Sequence, residues 1–391
     1  SVYLYMASTA SSIADSLVSC SLPGAYQTGP RPEAATTGRM LEVTGTTESG
    51  ETVDLFLKAM PKGSRIDATR EVSFYAAVRR GEVPGVSGVC PLVLSEEADY
   101  ETGKMEVLME DLAASGCIGL NFICGNQIWG VPEEKREKIH DTTYDVVEGA
   151  FIAGARMHAA TWCDPKVMAL KWLKGVRFFD GSGQAVWQKG LDDCRALWAR
   201  GKERFATEDG LTLSPKLERI MDQSLAAASF ESMHAHITDP STPFALCHGD
   251  FHAANMFLRP QPTPYTPCPE AMADRLVYVD WSEVGVWEPV TELAQMIMSD
   301  TRPEIMDQSR TLVETYHAAL LKYNPDIEYT MEECWESFCI QGASRWVYMF
   351  GAISGFGMPA EITQYFHDQL LRFIELHGDH PIYPIGQVWE L

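Results

Sequence analysis

The 391-residue chain lacks any apolar run that approaches the ~20 residues needed to span a bilayer, which predicts no membrane-spanning helix. Basic residues are few, with 31 Lys and Arg against 54 Asp and Glu and a net charge of −23. Binding to a nucleic-acid backbone requires a positive surface, so no nucleic-acid partner is expected. The acidity is compatible with a cationic ligand, but acidity is also an ordinary means of staying soluble, and the second explanation is favoured.

Paired cysteine motifs are absent as well. The ten cysteines are scattered and form no C-x-x-C pair, which argues against a zinc site or a disulfide framework. Reduced thiols indicate a cytoplasmic or other reducing compartment, with an organelle left open. Residues 1–12 are rich in Ser and Ala and contain no arginine, which disfavours a transit peptide.

The most specific pattern present is residues 248–255, His-Gly-Asp-Phe-His-Ala-Ala-Asn, followed by residues 277–281, Val-Tyr-Val-Asp-Trp. Phosphoryl transfer from a nucleotide needs one acid that accepts or orients a hydroxyl proton. It also needs a second acid and an amide oxygen that hold magnesium ions. Asp250 fits the first role, and Asn255 and Asp280 fit the second.

Short apolar segments precede both parts of this pattern. Residues 243–247 and 276–279 predict buried strands, and we expect them to form a hairpin whose ends deliver the acidic ligands to one cleft. Residues 259–269 are too rich in proline for a helix or a central strand, so an exposed excursion is expected there. A proline-rich docking segment for a protein partner is the weaker alternative.

The pattern resembles the signature of the aminoglycoside phosphotransferase and choline kinase superfamily, His-Gly-Asp-x-His-x-x-Asn followed by Asp-Trp or Asp-Phe. The nearest likeness is to its choline-kinase-like and ecdysteroid-kinase-like branch. The resemblance implies an α+β, bilobal, protein-kinase-like fold with ATP and Mg²⁺ as cofactors. A small N-lobe with an antiparallel sheet is expected over residues 1–112, and a larger helical C-lobe over residues 113–391.

Upstream residues extend the resemblance to the nucleotide phosphates. Residues 53–58 predict an alternating strand that ends on Lys58, and residues 70–78 predict a helix that carries Glu71. By resemblance, Lys58 pairs with the first two phosphates and Glu71 holds that lysine. A lysine at the end of a strand is usually only solvated. The assignment therefore depends on its place in the ordered set Lys58, Glu71, Asp250, Asn255 and Asp280.

Two further nucleotide contacts follow from the resemblance. Residues 104–112 predict a strand that runs into a polar break, which resembles the hinge between lobes, with main-chain atoms of Glu110 and Leu112 as candidates for the adenine edge. An edge strand followed by a turn is the alternative. The phosphate-covering loop is assigned to residues 35–43, with Thr37 and Gly38 as contacts. Its single glycine departs from the Gly-x-Gly-x-x-Gly of protein kinases and leaves the phosphate contacts open.

Helical periodicity dominates the rest of the chain. Residues 133–162 predict a helix on which His158, by resemblance, buttresses the catalytic loop rather than transferring a proton; His252 likewise is expected to shape the loop. Residues 165–240 predict helices with glycine breaks. In families of this type, such an insertion and the C-terminal helices build the acceptor pocket.

The segment after Asp280 bears on the class of acceptor. Residues 281–289 lead almost directly into a predicted helix, whereas protein kinases place a longer activation segment and an Ala-Pro-Glu anchor there as a platform for a peptide. A small-molecule acceptor is therefore favoured. Aromatic and acidic residues near the C-terminus could surround an amine, although a core and a solvated face are the favoured interpretation: Glu332, Glu333, Trp335, Glu336, Phe338, Trp346, Tyr348 and Phe350.

These patterns together predict an ATP-dependent phosphotransferase that acts on a hydroxyl of a small molecule, such as a choline-like amino alcohol or a sterol. The alternative is a catalytically silent kinase-like scaffold or assembly subunit. The complete set of five motif residues argues against that alternative, because a kinase-like protein that loses its activity in evolution usually loses one of these residues first. A protein kinase is disfavoured by the short segment after Asp280.

Overall fold

The structure is a computed structural model. It describes residues 17–21, 39–47, 52–63, 66–124, 143–262, 268–299, 301–378, 380–386 and 388.

The N-terminal part is built on a five-stranded antiparallel sheet with the strand order β1-β2-β3-β5-β4. The central strand β3 lies between β2 and β5, so that Lys58 faces Met40 on one side and Val107 on the other. The strand continues to Met60, and the prediction that it ends on Lys58 is wrong because pairing on both sides extends the ladder. The strands are β1 (Leu17–Ser21), β2 (Arg39–Thr47), β3 (Thr52–Met60), β4 (Val93–Asp99) and β5 (Lys104–Glu110).

Among the described residues of the N-terminal part, one α-helix accompanies this sheet, as predicted. Helix α1 (Arg70–Arg79) buries Phe74 and Ala77, which lie three positions apart and therefore share one helical face. The ring of Phe74 stacks on the ring of Trp281 with a centroid distance of 4.1 Å, so the helix is packed against the segment that follows Asp280.

The remainder of the described chain is mainly helical. The arrangement is an α+β, bilobal, protein-kinase-like fold, as the resemblance implied. The helices are α2 (Leu120–Ile123), α3 (Thr143–Thr161), α4 (Val176–Phe179), α5 (Gln184–Thr207), α6 (Pro215–Ala227), α7 (Phe230–Ile237), α8 (Pro269–Ala273), α9 (Val290–Ser299), α10 (Ser309–Tyr323), α11 (Met331–Gly355) and α12 (Ala360–His377). Within the described residues, no helix combines the length and the apolar character that crossing a bilayer would require.

Short strands deliver the motif residues to the cleft. Strand β7 (Ala245–Cys247) pairs with β10 (Gly285–Trp287), while β8 (Met256–Leu258) pairs with β9 (Leu276–Tyr278) and with β6 (Ile118–Gly119). The predicted pairing of the strand before His248 with the strand before Asp280 is therefore wrong. The hairpin forms instead from β8, which follows Asn255 directly, and β7 takes the later strand β10 as its partner.

The proline-rich excursion lies only partly within the described residues, because residues 263–267 fall outside them. Pro269 opens helix α8, contrary to the expectation that no helix would form up to this position. The first helical position lacks an intrahelical partner for its N–H, so proline costs nothing there.

Helices α5 and α11 pack so closely that their backbones meet. A Cβ atom added at Gly355, the last residue of α11, would lie 2.2 Å from the carbonyl oxygen of Leu197 on α5. A backbone atom cannot move aside by a rotamer change, so the absence of a side chain at Gly355 sets the distance between these helices.

Gly355→Ala should lower the free energy of unfolding by about 1–3 kcal/mol, the usual cost of forcing extra volume into a packed core. Urea denaturation monitored by circular dichroism measures this change. Gly386→Ala is the matched control, because a Cβ atom there would have no neighbour within 4 Å. Equal stability of the two variants would contradict the close backbone contact.

Candidate active site

Three residues that are distant in sequence meet at the face of the sheet that is adjacent to helix α1. The Nζ atom of Lys58 lies 2.6 Å from Oε2 of Glu71 and 2.8 Å from Oδ1 of Asp280, across sequence separations of 13 and 222 residues. The Glu71 side chain is fully buried, whereas 39% of the Asp280 side chain is exposed and open to a ligand. The structure thus brings together three of the predicted site residues.

The charges of this ion-pair cluster determine one another. Burial by itself would lower the pKa of Lys58, but the carboxylates of Glu71 and Asp280 outweigh it and raise the pKa above its ordinary value. Burial would raise the pKa of Asp280, yet Lys58 and the hydroxyl of Ser282 hold it below its usual range. Burial raises the pKa of Glu71, and Lys58 offsets that only in part. The lysine therefore stays charged and Asp280 stays ionised at neutral pH.

Asp280 adopts a left-handed backbone conformation, with φ 60° and ψ 62°, that residues other than glycine rarely take. The following turn compensates for this strain. Trp281 Nε1 donates to the carbonyl oxygen of Tyr278 at 2.9 Å, and the Trp281 ring lies between Phe74 and His248 with centroid distances of 4.1 and 4.5 Å. Ser282 Oγ donates to Asp280 Oδ1 at 2.9 Å. The turn aims the Asp280 carboxylate at Lys58.

The loop that carries Asp250 requires a glycine at position 249. Gly249 has a φ of 85°, and a Cβ atom there would lie 1.9 Å from the carbonyl oxygen of Glu283. The preceding His248 bridges the loop to the Asp280 segment. Its Nε2 donates to the carbonyl oxygen of Val279 at 2.9 Å, and its Nδ1 accepts from the Asp250 N–H at 3.2 Å. Burial lowers the pKa of His248, which keeps the ring neutral in this tautomer.

The Asp250 carboxylate is hydrogen-bonded at both oxygens. Oδ1 accepts from Nε2 of Gln295 at 2.7 Å, and Oδ2 accepts from Nδ2 of Asn255 at 3.0 Å and lies 3.3 Å from Nε2 of His252. Burial would raise the pKa of Asp250, but the His252 ring, His248 and the Gln295 amide outweigh it and hold the pKa well below its ordinary value. The side chain retains 32% exposure, so an ionised carboxylate faces the cleft.

The Asn255 amide has a defined orientation. Its nitrogen donates to both the backbone oxygen and Oδ2 of Asp250, each at 3.0 Å. Because the nitrogen is used in this way, the amide oxygen is the atom that remains to accept or ligate. An amide oxygen and the carboxylate of Asp280 are oxygen donors of the kind that Mg²⁺ takes together with phosphates. The residues present therefore fit the predicted metal.

The two hinge candidates differ in the main-chain groups that they can offer. The Glu110 N–H donates to the carbonyl oxygen of Leu92, and the Leu112 carbonyl accepts from the Cys117 N–H, each at 2.9 Å. Among the residues that the structure describes, the Leu112 N–H forms no hydrogen bond. It is thus the predicted hinge donor that is still available to an adenine edge. Thr37 and Gly38, the predicted phosphate contacts, lie outside the described residues.

The Glu110 side chain has a separate role as an anchor. Its carboxylate binds the guanidinium of Arg259 at 2.6 and 3.2 Å. Arg259 directly follows β8, so this bidentate pair ties the end of β5 to the hairpin that follows Asn255.

Sequence reasoning missed the buried residues that support the loop carrying Asp250. Glu292, with no exposed surface, accepts the Gly249 N–H at 3.1 Å with one oxygen and contacts His158 Nε2 at 2.7 Å with the other. The second ring nitrogen of His158 lies 3.0 Å from the hydroxyl of Tyr316. His158 therefore reaches the loop through Glu292. The available signal was the position of Glu292 and Gln295, three residues apart in a helix whose other members are mostly apolar.

The aromatic residues near the C-terminus that could surround an amine are largely core. Phe338, Trp346, Tyr348 and Phe350 are all buried, which agrees with the favoured interpretation. Glu332 and Glu336 lie at the surface.

Comparisons with known proteins agree with the motif. The family model described as ecdysteroid kinase-like matches residues 176–329, which include the Asp250 loop and Asp280. The predicted resemblance to that branch is confirmed over this range. No curated protein matches the chain.

Several solved structures are similar to the chain at low identity. A microcompartment-associated aminopropanol kinase is 12% identical, with 97% of this chain and 99% of that chain covered and a TM-score of 0.41. An amicoumacin kinase in complex with AMP-PNP and Ca²⁺ is 10% identical, with 91% and 89% covered and a TM-score of 0.40. A choline/ethanolamine kinase family protein from Mesorhizobium loti is 14% identical, with 94% and 99% covered and a TM-score of 0.31.

Glu292→Ala should lower the free energy of unfolding by about 2–4 kcal/mol, because it leaves the buried Gly249 N–H and the His158 ring without their acceptor. Chemical denaturation provides the measurement. Glu304→Ala serves as the control, since the Glu304 side chain is 62% exposed. A Glu292 variant as stable as the control would show that the loop is supported by other contacts.

Proposed function

We propose that this protein is an ATP-dependent phosphotransferase whose acceptor is a hydroxyl group of a small molecule. The observation that carries the proposal is the meeting of Lys58, Glu71 and Asp280 within 2.8 Å, with Asp250 and Asn255 joined on the neighbouring loop. A cation for phosphates, two oxygen donors for a metal and an ionised acid for a hydroxyl are the parts that such a transfer needs.

On this proposal, Lys58 binds the nucleotide phosphates while Glu71 keeps its ammonium group in place. The Leu112 N–H binds the adenine edge, and Asn255 and Asp280 hold the metal. When bound, Mg²⁺ neutralises charge that develops on the phosphates. Asp280 has the exposed surface that this requires, whereas the Glu71 side chain is fully enclosed and holds Lys58.

Asp250 orients the acceptor hydroxyl for in-line attack. Its low pKa makes it a weak base, and this suits the task. The transition state of phosphoryl transfer is largely dissociative in most analyses, so positioning of the hydroxyl contributes more than early removal of its proton. The ionised carboxylate accepts the hydroxyl hydrogen bond and receives the proton late.

The segment after Asp280 supports a small-molecule acceptor. Strand β10 begins at Gly285 and is paired with β7, and helix α9 starts at Val290. The same segment is fastened by an ion pair between Lys174 and Glu283. A segment this short and this firmly attached leaves no extended platform for a peptide. Amino alcohols and hydroxylated sterols are the acceptor classes that we propose to screen.

Asp250→Asn should reduce transfer to the acceptor by about 100-fold to 10,000-fold, the usual contribution of a positioned acid or base. Stabilisation of the folded protein by Mg-ATP should persist, because Lys58 and Asp280 are unchanged. ATP consumption with the screened acceptors and thermal shift with Mg-ATP measure the two effects.

Asp326→Asn, an exchange of the same type at an exposed position, is the control. A variant at position 250 that keeps most of its turnover would refute the assigned role of Asp250. A wild-type protein that Mg-ATP does not stabilise would instead indicate a kinase-like scaffold.

A further inference from the structure

A continuous chain of hydrogen bonds connects helix α11 to Asp250. Arg345 donates from one terminal nitrogen to the backbone oxygen of Gly249 and to Oε1 of Gln295. Gln295, on helix α9, donates from Nε2 to Oδ1 of Asp250 at 2.7 Å. Both side chains are enclosed, since Arg345 is 2% and Gln295 is 3% exposed. Neither residue belongs to the sequence motif.

The arrangement determines which end of the Gln295 amide faces Asp250. Arginine has donors and no acceptor, so the atom of Gln295 that contacts Arg345 must be the oxygen. The nitrogen of the amide then faces the carboxylate of Asp250. Arg345 thereby sets the polarity of Gln295 as well as its position.

The series of hydrogen bonds reaches the Asp250 loop at two adjacent points. Arg345 binds the carbonyl group of Gly249, and Gln295 binds the side chain of the next residue, Asp250. Main chain and side chain of the catalytic loop are thus fixed relative to each other by one guanidinium group. Asn255 holds the second oxygen of the same carboxylate, so rotation about both side-chain bonds of Asp250 is restricted. Both contacts come from one terminal nitrogen of Arg345. A lysine side chain is one bond shorter, so its ammonium group would not reach the same position.

We propose that Gln295 and Arg345 are positioning residues for phosphoryl transfer, which hold the Asp250 carboxylate in the orientation that receives the acceptor hydroxyl. The proposal rests on the phosphotransferase function proposed above. Orientation matters because a misplacement of about 1 Å can cost about 100-fold in rate.

A structural role for the same residues makes a different prediction. Arg345 lies near the negative charges of Glu292 and Asp250 and could serve only to balance them. In that case only the charge of Arg345 would matter, and a neutral side chain of similar size at position 295 would preserve function. A positioning role requires the Gln295 N–H as a donor to Asp250. Gln295→Met removes that donor without adding a negative charge beside Asp250.

The decisive experiment compares Gln295→Met, Arg345→Lys and the control Gln308→Met, which makes the same exchange at an exposed site. For Gln295→Met we expect kcat to fall about 100-fold, while KM for ATP stays within about twofold because the nucleotide contacts are intact. Arg345→Lys should lower kcat in the same direction, and Gln308→Met should change neither constant.

A crystal structure of Gln295→Leu adds a readout that does not depend on finding the acceptor. Asp250 should leave its wild-type rotamer in this variant. An active wild-type enzyme whose Gln295→Met variant keeps its kcat would overturn the positioning role and leave the proposed function intact. An unchanged Asp250 rotamer in Gln295→Leu would also overturn it. A wild-type protein that neither binds Mg-ATP nor consumes it would overturn the proposed function first, and the positioning role with it.

Discussion

The contact of Lys58 with Glu71 and Asp280 is the interaction on which the rest of the site depends. It joins three elements, because Lys58 comes from the sheet, Glu71 from helix α1 and Asp280 from the segment after β9. A cation of this kind could not be buried without its partners, because desolvation would drive it neutral. The ion-pair cluster therefore joins the sheet and helix α1 to the segment that carries Asp280, and it keeps the ammonium group charged, as the proposed contact with phosphates requires.

Apolar packing keeps that cluster in register. Ring contacts run from Phe74 on helix α1 through Trp281 in the Asp280 turn to His248 in the loop that carries Asp250, with the first pair stacked and the second tilted. Arg70 adds polar fastening, since it donates to the carbonyl oxygens of Trp172 and Ser282 at 3.2 and 2.6 Å. Helix α1 is thus held at its first residue and along its apolar face by the lobe that carries the acids.

Much of the site could be predicted because its residues lie in patterns of a few neighbouring positions. The spacing from Asp250 to Asn255, the apolar strand before Asp280 and the order of Lys58 and Glu71 all show in short windows. The family resemblance that these residues carry implied the fold class. The supporting residues could not be predicted in the same way. Arg345 meets Gly249 across 96 positions, and no periodicity tells which buried polar side chain will reach which loop. The pairing of β7 with β10 could not be predicted either, because it also joins segments that are distant in sequence.

The left-handed backbone at Asp280 makes this position intolerant of every close substitute. Glutamate keeps the charge, but it is poorly suited to the conformation, in which asparagine and aspartate are several-fold enriched. Glycine accepts the backbone and supplies no carboxylate, and asparagine accepts the backbone and supplies no charge for Lys58. The main chain requires a residue that tolerates the left-handed conformation, and the side chain must carry a carboxylate, so only aspartate meets both requirements. Related sequences that vary at position 280 are expected to lack the proposed phosphotransferase activity.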